Sequence, residues 1–326
     1  MERQKKTADA SKCVHCHICQ DNCAFLGKYG IDIGDTKRLN ELAYHCFMCG
    51  RCSEVCPVGI DGRQVVSDMR RHQVSEDAGQ FVNKNYKRMI SEKREYLYRN
   101  YRHAAGKSVM FPGCNFPSVY PKTTKKLVQL LWERAGIGTV YDCCGKPIAD
   151  IGMAWQEEKI LHEIESRLIQ AGVTEMILVC PNCESYLSGR ISIKIVNIYE
   201  KLRQLGMGSK IPGGCRMFYP CPDRESRRWL PDIEFFMKEK CAAVEDAQCC
   251  GLGGSGGVLE PELAKGFAEK VKECTETVYT YCGSCAGNLT RNGCRQVRHI
   301  LPEILGTSEK PDTVKSLINR MRTKYL

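Results

Sequence analysis

At 326 residues the chain is long enough for two or three domains, each with a core of its own. Its 22 cysteines stand out: a chain this long needs no disulfide staples, its opening Met1–Lys12 is polar and charged rather than a signal peptide, and no apolar run approaches the roughly twenty residues of a spanning helix. The expectation is a soluble, cytoplasmic protein with no transmembrane segment of its own, free or associated with a membrane-bound redox partner, whose clustered thiols are metal ligands. The formal charge of +10 counts every cysteine as neutral. Two cubanes with four thiolates each, at about −2 apiece, lower it to roughly +6, so the basic excess is partly counter-charge. Nucleic acid is not expected as a partner, because the basic residues show no interleaved aromatic pattern.

Residues 1–66 read as a ferredoxin-type domain for two [4Fe-4S] clusters. Cys13-x2-Cys16-x2-Cys19-x3-Cys23 recurs as Cys46-x2-Cys49-x2-Cys52-x3-Cys56, followed by Pro57. Three cysteines spaced two apart wrap one cube, and the fourth reaches across to its neighbour. That rule assigns Cys13, Cys16, Cys19 and Cys56 to one cubane and Cys46, Cys49, Cys52 and Cys23 to the other. Zinc also accepts four thiolates, but zinc ribbons use separated two-cysteine knuckles. His15, His17 and His45 are expected to be exposed loop residues rather than ligands. Between the motifs, Asp35 to Leu42 starts like a capped helix, which predicts an α-helical ferredoxin instead of the compact βαββαβ form.

Residues 67–107 carry no cysteine and are rich in Lys, Arg and Tyr, as in Lys84-Asn85-Tyr86-Lys87-Arg88. They read as a basic helical linker, a solvated helix packing its Tyr, Met and Leu against a neighbour. From Ser108 short apolar strands alternate with amphipathic helices: strands at 108–111, 138–141 and 175–179, helices at 122–135 and 156–169. Such alternation predicts an α/β fold with a mostly parallel sheet.

This second half is an internal duplication, with lobes at 108–213 and 214–326, the latter ending in a C-terminal helix. Cys114 is followed 29 positions on by Cys143-Cys144-Gly145, then by Cys180-Pro181-Asn182-Cys183. Cys221 is followed 28 positions on by Cys249-Cys250-Gly251, then by Cys282-Gly283-Ser284-Cys285. The repeat predicts two similar lobes, each supplying five cysteines. Cys215 competes with Cys221 for the first position of the second set; the apolar strand end before Cys221, as before Cys114, favours Cys221. Cys241, Cys274 and Cys294 fit neither repeat and are expected to be buried structural thiols.

Adjacent cysteines followed by glycine are rare, since a disulfide between neighbours strains the peptide joining them. With Phe111-Pro112-Gly113-Cys114, Tyr219-Pro220-Cys221 and the two CCG runs, the chain resembles the twin CCG-domain proteins, whose best-understood type is the catalytic subunit of heterodisulfide reductase. The order here resembles the fused form that joins a ferredoxin subunit to that catalytic subunit. The resemblance implies CCG lobes related by pseudo-two-fold symmetry, each holding a noncubane [4Fe-4S] cluster on its five cysteines. It implies a disulfide-reducing oxidoreductase in which chemistry is borne on the clusters, a flavoprotein or other redox subunit as electron donor, a small disulfide as substrate, and a hetero-oligomeric complex. Some relatives with these motifs are only electron conduits for a flavin-dependent dehydrogenase or bifurcating complex, which is the alternative; a zinc scaffold is a third. Gly251-Leu252-Gly253-Gly254-Ser255-Gly256 matches a dinucleotide pattern, but no hydrophobic strand precedes it, so the glycines are expected to bring backbone close to a cluster.

Overall fold

The computed structural model describes residues 6–77 and 84–326. The first five residues of the polar opening and residues 78–83 of the linker reading lie outside them.

In the N-terminal part, short helices at Ala24–Tyr29, Thr36–Glu41 and Arg51–Val55 and a longer one at Gly62–Glu76 surround the cysteine loops. Phe25, Leu26, Ile33, Leu39 and Ile60 form their core. Asp35 does precede a helix, but its carboxylate accepts from Asp32 N–H at 2.7 Å rather than from the helix's own first turn.

Strands β1 (Asn100–His103), β2 (Ser108–Phe111), β3 (Gly138–Tyr141), β4 (Glu175–Leu178) and β5 (Lys194–Asn197) form one sheet in the order β1-β3-β2-β4-β5. Only β1 is antiparallel. It comes from the segment read as linker, which therefore supplies an edge strand. Strands β6 (Cys215–Met217), β7 (Ala242–Ala243), β8 (Thr277–Thr280) and β9 (Val297–His299) form a second sheet, all parallel, in the order β7-β6-β8-β9. Without β1, the two sheets have the same strand order, as a duplication requires.

Parallel strands covered on both faces read as continuous apolar runs, and Met176 to Val179 is one, fully buried. Alternate residues point to opposite faces. Val109, Phe111, Met176 and Leu178 join the outer core with Ile160, Ile164 and Leu168 of helix Ala154–Gln170. Met110, Ile177 and Val179 face the other way, into a core shared with Val278, Ile300 and Leu301 of the second lobe. Each such side chain contributes about 1.5–3 kcal/mol on burial, so the lobes are welded rather than tethered. Helix Pro121–Ala135 buries Leu127 and Leu131 and stops at Gly136, whose φ of 61° suits a left-handed cap. The C-terminal helix Ser316–Arg322 returns to the first lobe, where Asn319 Nδ2 donates to Ser118 O at 3.2 Å.

The ferredoxin part docks on the second lobe. Phe47 meets Phe267 edge to face at 4.8 Å, Arg224 Nε donates to Glu54 at 2.7 Å, and the carboxylate of Glu260 accepts from Lys28, Tyr29 and His45 at 2.5, 2.6 and 2.7 Å. The glycine run faces this contact. A Cβ on Gly256 would lie 2.8 Å from Cys46 O, and one on Gly253 2.7 Å from Phe47 O. The run thus admits the backbone of a cysteine loop. No helix among the described residues is long and apolar enough to cross a membrane.

Candidate metal centre

All three cysteine-bearing loops of each lobe leave the C-terminal ends of neighbouring parallel strands, where open α/β sheets bind ligands. Cys114 follows β2, Cys143 and Cys144 follow β3, and Cys180 follows β4; Cys221, Cys249–Cys250 and Cys282 follow β6, β7 and β8. Strand order therefore gathers each set of five. Gly145 and Gly251, at φ 91° and 83°, turn the chain away after each vicinal pair, a conformation that side chains resist.

The thiols form a continuous line. In the first lobe Cys114 neighbours Cys143, Cys143 neighbours Cys144, Cys144 neighbours Cys183, and Cys183 neighbours Cys180, each close enough to perturb the next. Cys180 reaches across to Cys282 of the second lobe. From there contacts run through Cys285, Cys250 and Cys249 to Cys221, whose Sγ is 4.0 Å from that of Cys249. Cys249 also reaches Cys49 of the ferredoxin part.

The ferredoxin loops show a repeated turn. His15 and Met48, two residues after Cys13 and Cys46, take φ of 49° and 52°, and His17 and Gly50 take 58° and 74°. These left-handed turns aim N–H groups inward: His15 N donates to Cys13 Sγ at 3.4 Å and Met48 N to Cys46 Sγ at 3.3 Å. Cys13, Cys16, Cys19 and Cys56 line one small cavity, while Cys23 lies with Cys46, Cys49 and Cys52. Burial pushes Cys46 up to about 11 and, with Cys49 beside it, Cys23 up to about 12. Cys52 is pushed well above the ordinary thiol range by burial and by the thiols around it. Cys49 alone goes the other way, brought down to about 6 by Cys249 beside it. The other three buried thiols resist ionising alone, and a cationic iron core removes that penalty, so the donor set fits an iron–sulfur cluster.

Other predicted residues are placed differently. Cys215 is disulfide-bonded to Cys241, whereas Cys221 stands beside Cys249. Of the three thiols expected to be buried, Cys294 is, Cys274 is half-exposed, and Cys241 is half-exposed and bonded. The cause is position: Cys241 lies on the short approach to β7, next to β6 where Cys215 begins. His15 and His17 are exposed and pair with buried Asp32 at 3.0 and 3.4 Å, but His45 is half-buried against Glu260.

Between the lobes and the ferredoxin part lies a cavity of about 300 Å³ lined by all five first-lobe cysteines and by Cys221, Cys250 and Cys285. Lys93, only 7 % exposed, lines it from the linker segment, and Arg320 from the C-terminal helix; Glu92 pairs with both, at 2.7 and 2.6 Å. Burial disfavours the Lys93 ammonium, but the thiols of Cys114 and Cys143 outweigh it and hold its pKa at about 12. Arg70, fully buried, donates to carbonyls of Ala43 and Cys46 in the ferredoxin part, Asp150 in the first lobe and Gly254 in the second. Sequence reasoning missed Arg70, Lys93, Glu260, Arg224 and Gln248. Only the last two carried a signal, lying next to or within three residues of a cysteine in a motif.

Residues 9–60 match the 4Fe-4S dicluster domain, and residues 108–188 and 216–290 each match the cysteine-rich CCG domain. The chain is a heterodisulfide reductase-like, twin CCG-domain iron–sulfur protein. This twin CCG protein is 24% identical to a subunit of the fumarate reductase (CoM/CoB) of Methanothermobacter marburgensis, over 87% of its own length and 68% of that relative. It is 21% identical to a subunit of the dihydromethanophenazine:CoB–CoM heterodisulfide reductase of Methanosarcina mazei, over 82% and 76% respectively. An uncharacterized iron–sulfur protein of Methanococcus maripaludis is 24% identical, over 72% of this chain and 53% of that protein.

Proposed function

We propose that the chain is the disulfide-reducing subunit of a hetero-oligomeric, cytoplasmic oxidoreductase, taking single electrons from a flavoprotein or other redox subunit and delivering a pair to a small disulfide. Bound clusters, two cubane and two noncubane, would supply the redox chemistry: opening an S–S bond to two thiols consumes two electrons and two protons. Cys13, Cys16, Cys19 and Cys56 would hold one cubane and Cys23, Cys46, Cys49 and Cys52 the other. Cys114, Cys143, Cys144, Cys180 and Cys183 would hold the first-lobe site, and Cys221, Cys249, Cys250, Cys282 and Cys285 the second, with the lobes related by a pseudo-two-fold axis.

The observation that carries this reading is one cavity lined by Cys49 of the ferredoxin part, by all five cysteines of the first lobe and by Cys221, Cys250 and Cys285 of the second. The match to a heterodisulfide reductase of Methanosarcina mazei supports it. The chain's residues bind and orient: Lys93 and Arg320 hold positive charge beside Cys114, where an ionised sulfur product is stabilised. The test is anoxic assay of the reconstituted protein with reduced viologen and a panel of disulfides. Viologen oxidation with thiol release supports the reading, and no turnover with any disulfide overturns it.

A second reading is a non-catalytic electron-transfer subunit. Paramagnetic signals induced at the CCG sites by added thiol support chemistry there, and their absence supports transfer alone.

A further inference from the structure

Gln248 precedes Cys249 in the second lobe, yet its side chain serves the ferredoxin part. Ala24 N–H donates to its Oε1 at 2.9 Å. A backbone N–H can only donate, so this bond settles which end of the amide is oxygen and leaves Nε2 as the end facing sulfur. Nε2 donates to Cys23 Sγ at 3.5 Å and to Cys49 Sγ at 3.7 Å. One amide from outside the ferredoxin motifs therefore touches two thiols of the same set, one from each motif. Arg224 fixes the loop that carries it, donating to Gln248 O at 2.5 Å and to Cys49 O at 3.2 Å. The other ferredoxin set is placed oppositely: the Cys13 thiol donates to the buried carboxylate of Asp32 at 3.7 Å.

Hydrogen bonds donated to cluster thiolates stabilise the more negative, reduced state, and a neighbouring carboxylate destabilises it. We propose that Gln248 raises the reduction potential of the cubane held by Cys23, Cys46, Cys49 and Cys52 above that of its neighbour, and so directs electrons into the second lobe. The step is a one-electron transfer in which no bond forms or breaks. It rests on the four-cluster reading above and adds a residue and a direction to it.

The experiment is an anoxic redox titration of the reconstituted full chain, followed by electron paramagnetic resonance, with iron analysis on every sample. In Gln248→Met the donor is lost at similar length, and the midpoint of one cubane falls while the other stays. In Gln248→Glu a charge replaces the donor, and the same midpoint falls further. Ala24→Pro removes the N–H that orients the amide and puts the ring Cδ in its place, leaving Gln248 itself unchanged. Ala24 is the first residue of helix Ala24–Tyr29, where proline is tolerated, and Cys23 at φ −129°, ψ 110° already has the conformation that a following proline demands. This variant shifts the same cubane in the same direction.

Full iron content with both midpoints unmoved, or moved equally, overturns the inference. Should the Gln248 variants lose iron, Ala24→Pro decides, and an unmoved midpoint there overturns it. Wild-type protein without two cubane signals overturns the cluster assignment and this inference with it. Two signals that ignore the substitutions overturn this inference alone.

Discussion

Cys180 and Cys282 occupy the same position in the two repeats, and their thiols are neighbours across the lobe interface, each perturbing the other. Nearby, Asn182 Nδ2 donates to Cys282 Sγ at 3.5 Å and Asn115 Nδ2 donates to Ser284 Oγ at 2.7 Å. Two five-cysteine sets that would be remote on separate lobes are thus brought edge to edge.

Cys221 and Cys215 separate by substitution. Cys221 stands in the line of thiols, while Cys215 is joined to Cys241 at the start of β6. Cys221→Ser is expected to lose about four irons per chain, and Cys215→Ser to keep the wild-type content. Iron and acid-labile sulfide analysis after anoxic purification checks it; equal loss in both variants contradicts the assignment.

In the first lobe β2, β3, β4 and the helices Pro121–Ala135 and Ala154–Gln170 were legible because buried strands are short apolar runs and the long helices carry an apolar stripe, as at Leu127 and Leu131 before Gly136. β5 (Lys194–Asn197), which begins and ends on a polar residue, was not. The cysteine sets were legible because their spacing repeats along the chain itself. Docking was not. Arg70, Glu260 and Lys93 act through contacts more than a hundred residues apart or on other elements, and a lone charged residue in a polar stretch carries no mark of burial. β1 was missed for a related reason, since Asn100–His103 is polar and becomes a strand only because β3 offers an open edge.

Arg70 ties all three parts of the molecule. Arg70→Met leaves buried carbonyls of Ala43, Cys46, Asp150 and Gly254 without their donor, at a cost of about 3–5 kcal/mol. Arg70→Lys is not expected to rescue it, because an ammonium lacks the planar fork that spans these acceptors. Urea unfolding at equal iron loading measures both, and a loss below about 1 kcal/mol in Arg70→Met refutes the junction role.

The glycine run offers a local test of docking. Gly256→Ala places a Cβ 2.8 Å from Cys46 O, in backbone that cannot swing aside, whereas Gly266→Ala meets nothing within 4 Å. The first is expected to destabilise by about 1–3 kcal/mol and the second to be neutral or slightly stabilising. Parallel thermal melts distinguish them, and equal midpoints contradict the packing argument.

Acid should loosen the ferredoxin part from the second lobe through Glu260. Its carboxylate is only 2 % exposed and accepts from Lys28, Tyr29 and His45. Burial alone raises its pKa, but those hydrogen bonds outweigh burial and hold it below the ordinary carboxylate value. A folded pKa depressed below the unfolded value of about 4.3 means that the contact's contribution is complete above that pH and is lost as pH falls through the folded value. Glu260→Gln removes the charge at every pH. The stability difference between wild type and Glu260→Gln is therefore expected to be fully present at about pH 5 and to shrink below about 4.3. Urea midpoints of both proteins across that range check it. A difference that grows as pH falls below about 5 reverses the sign and rules out an ionised Glu260 as the docking contact.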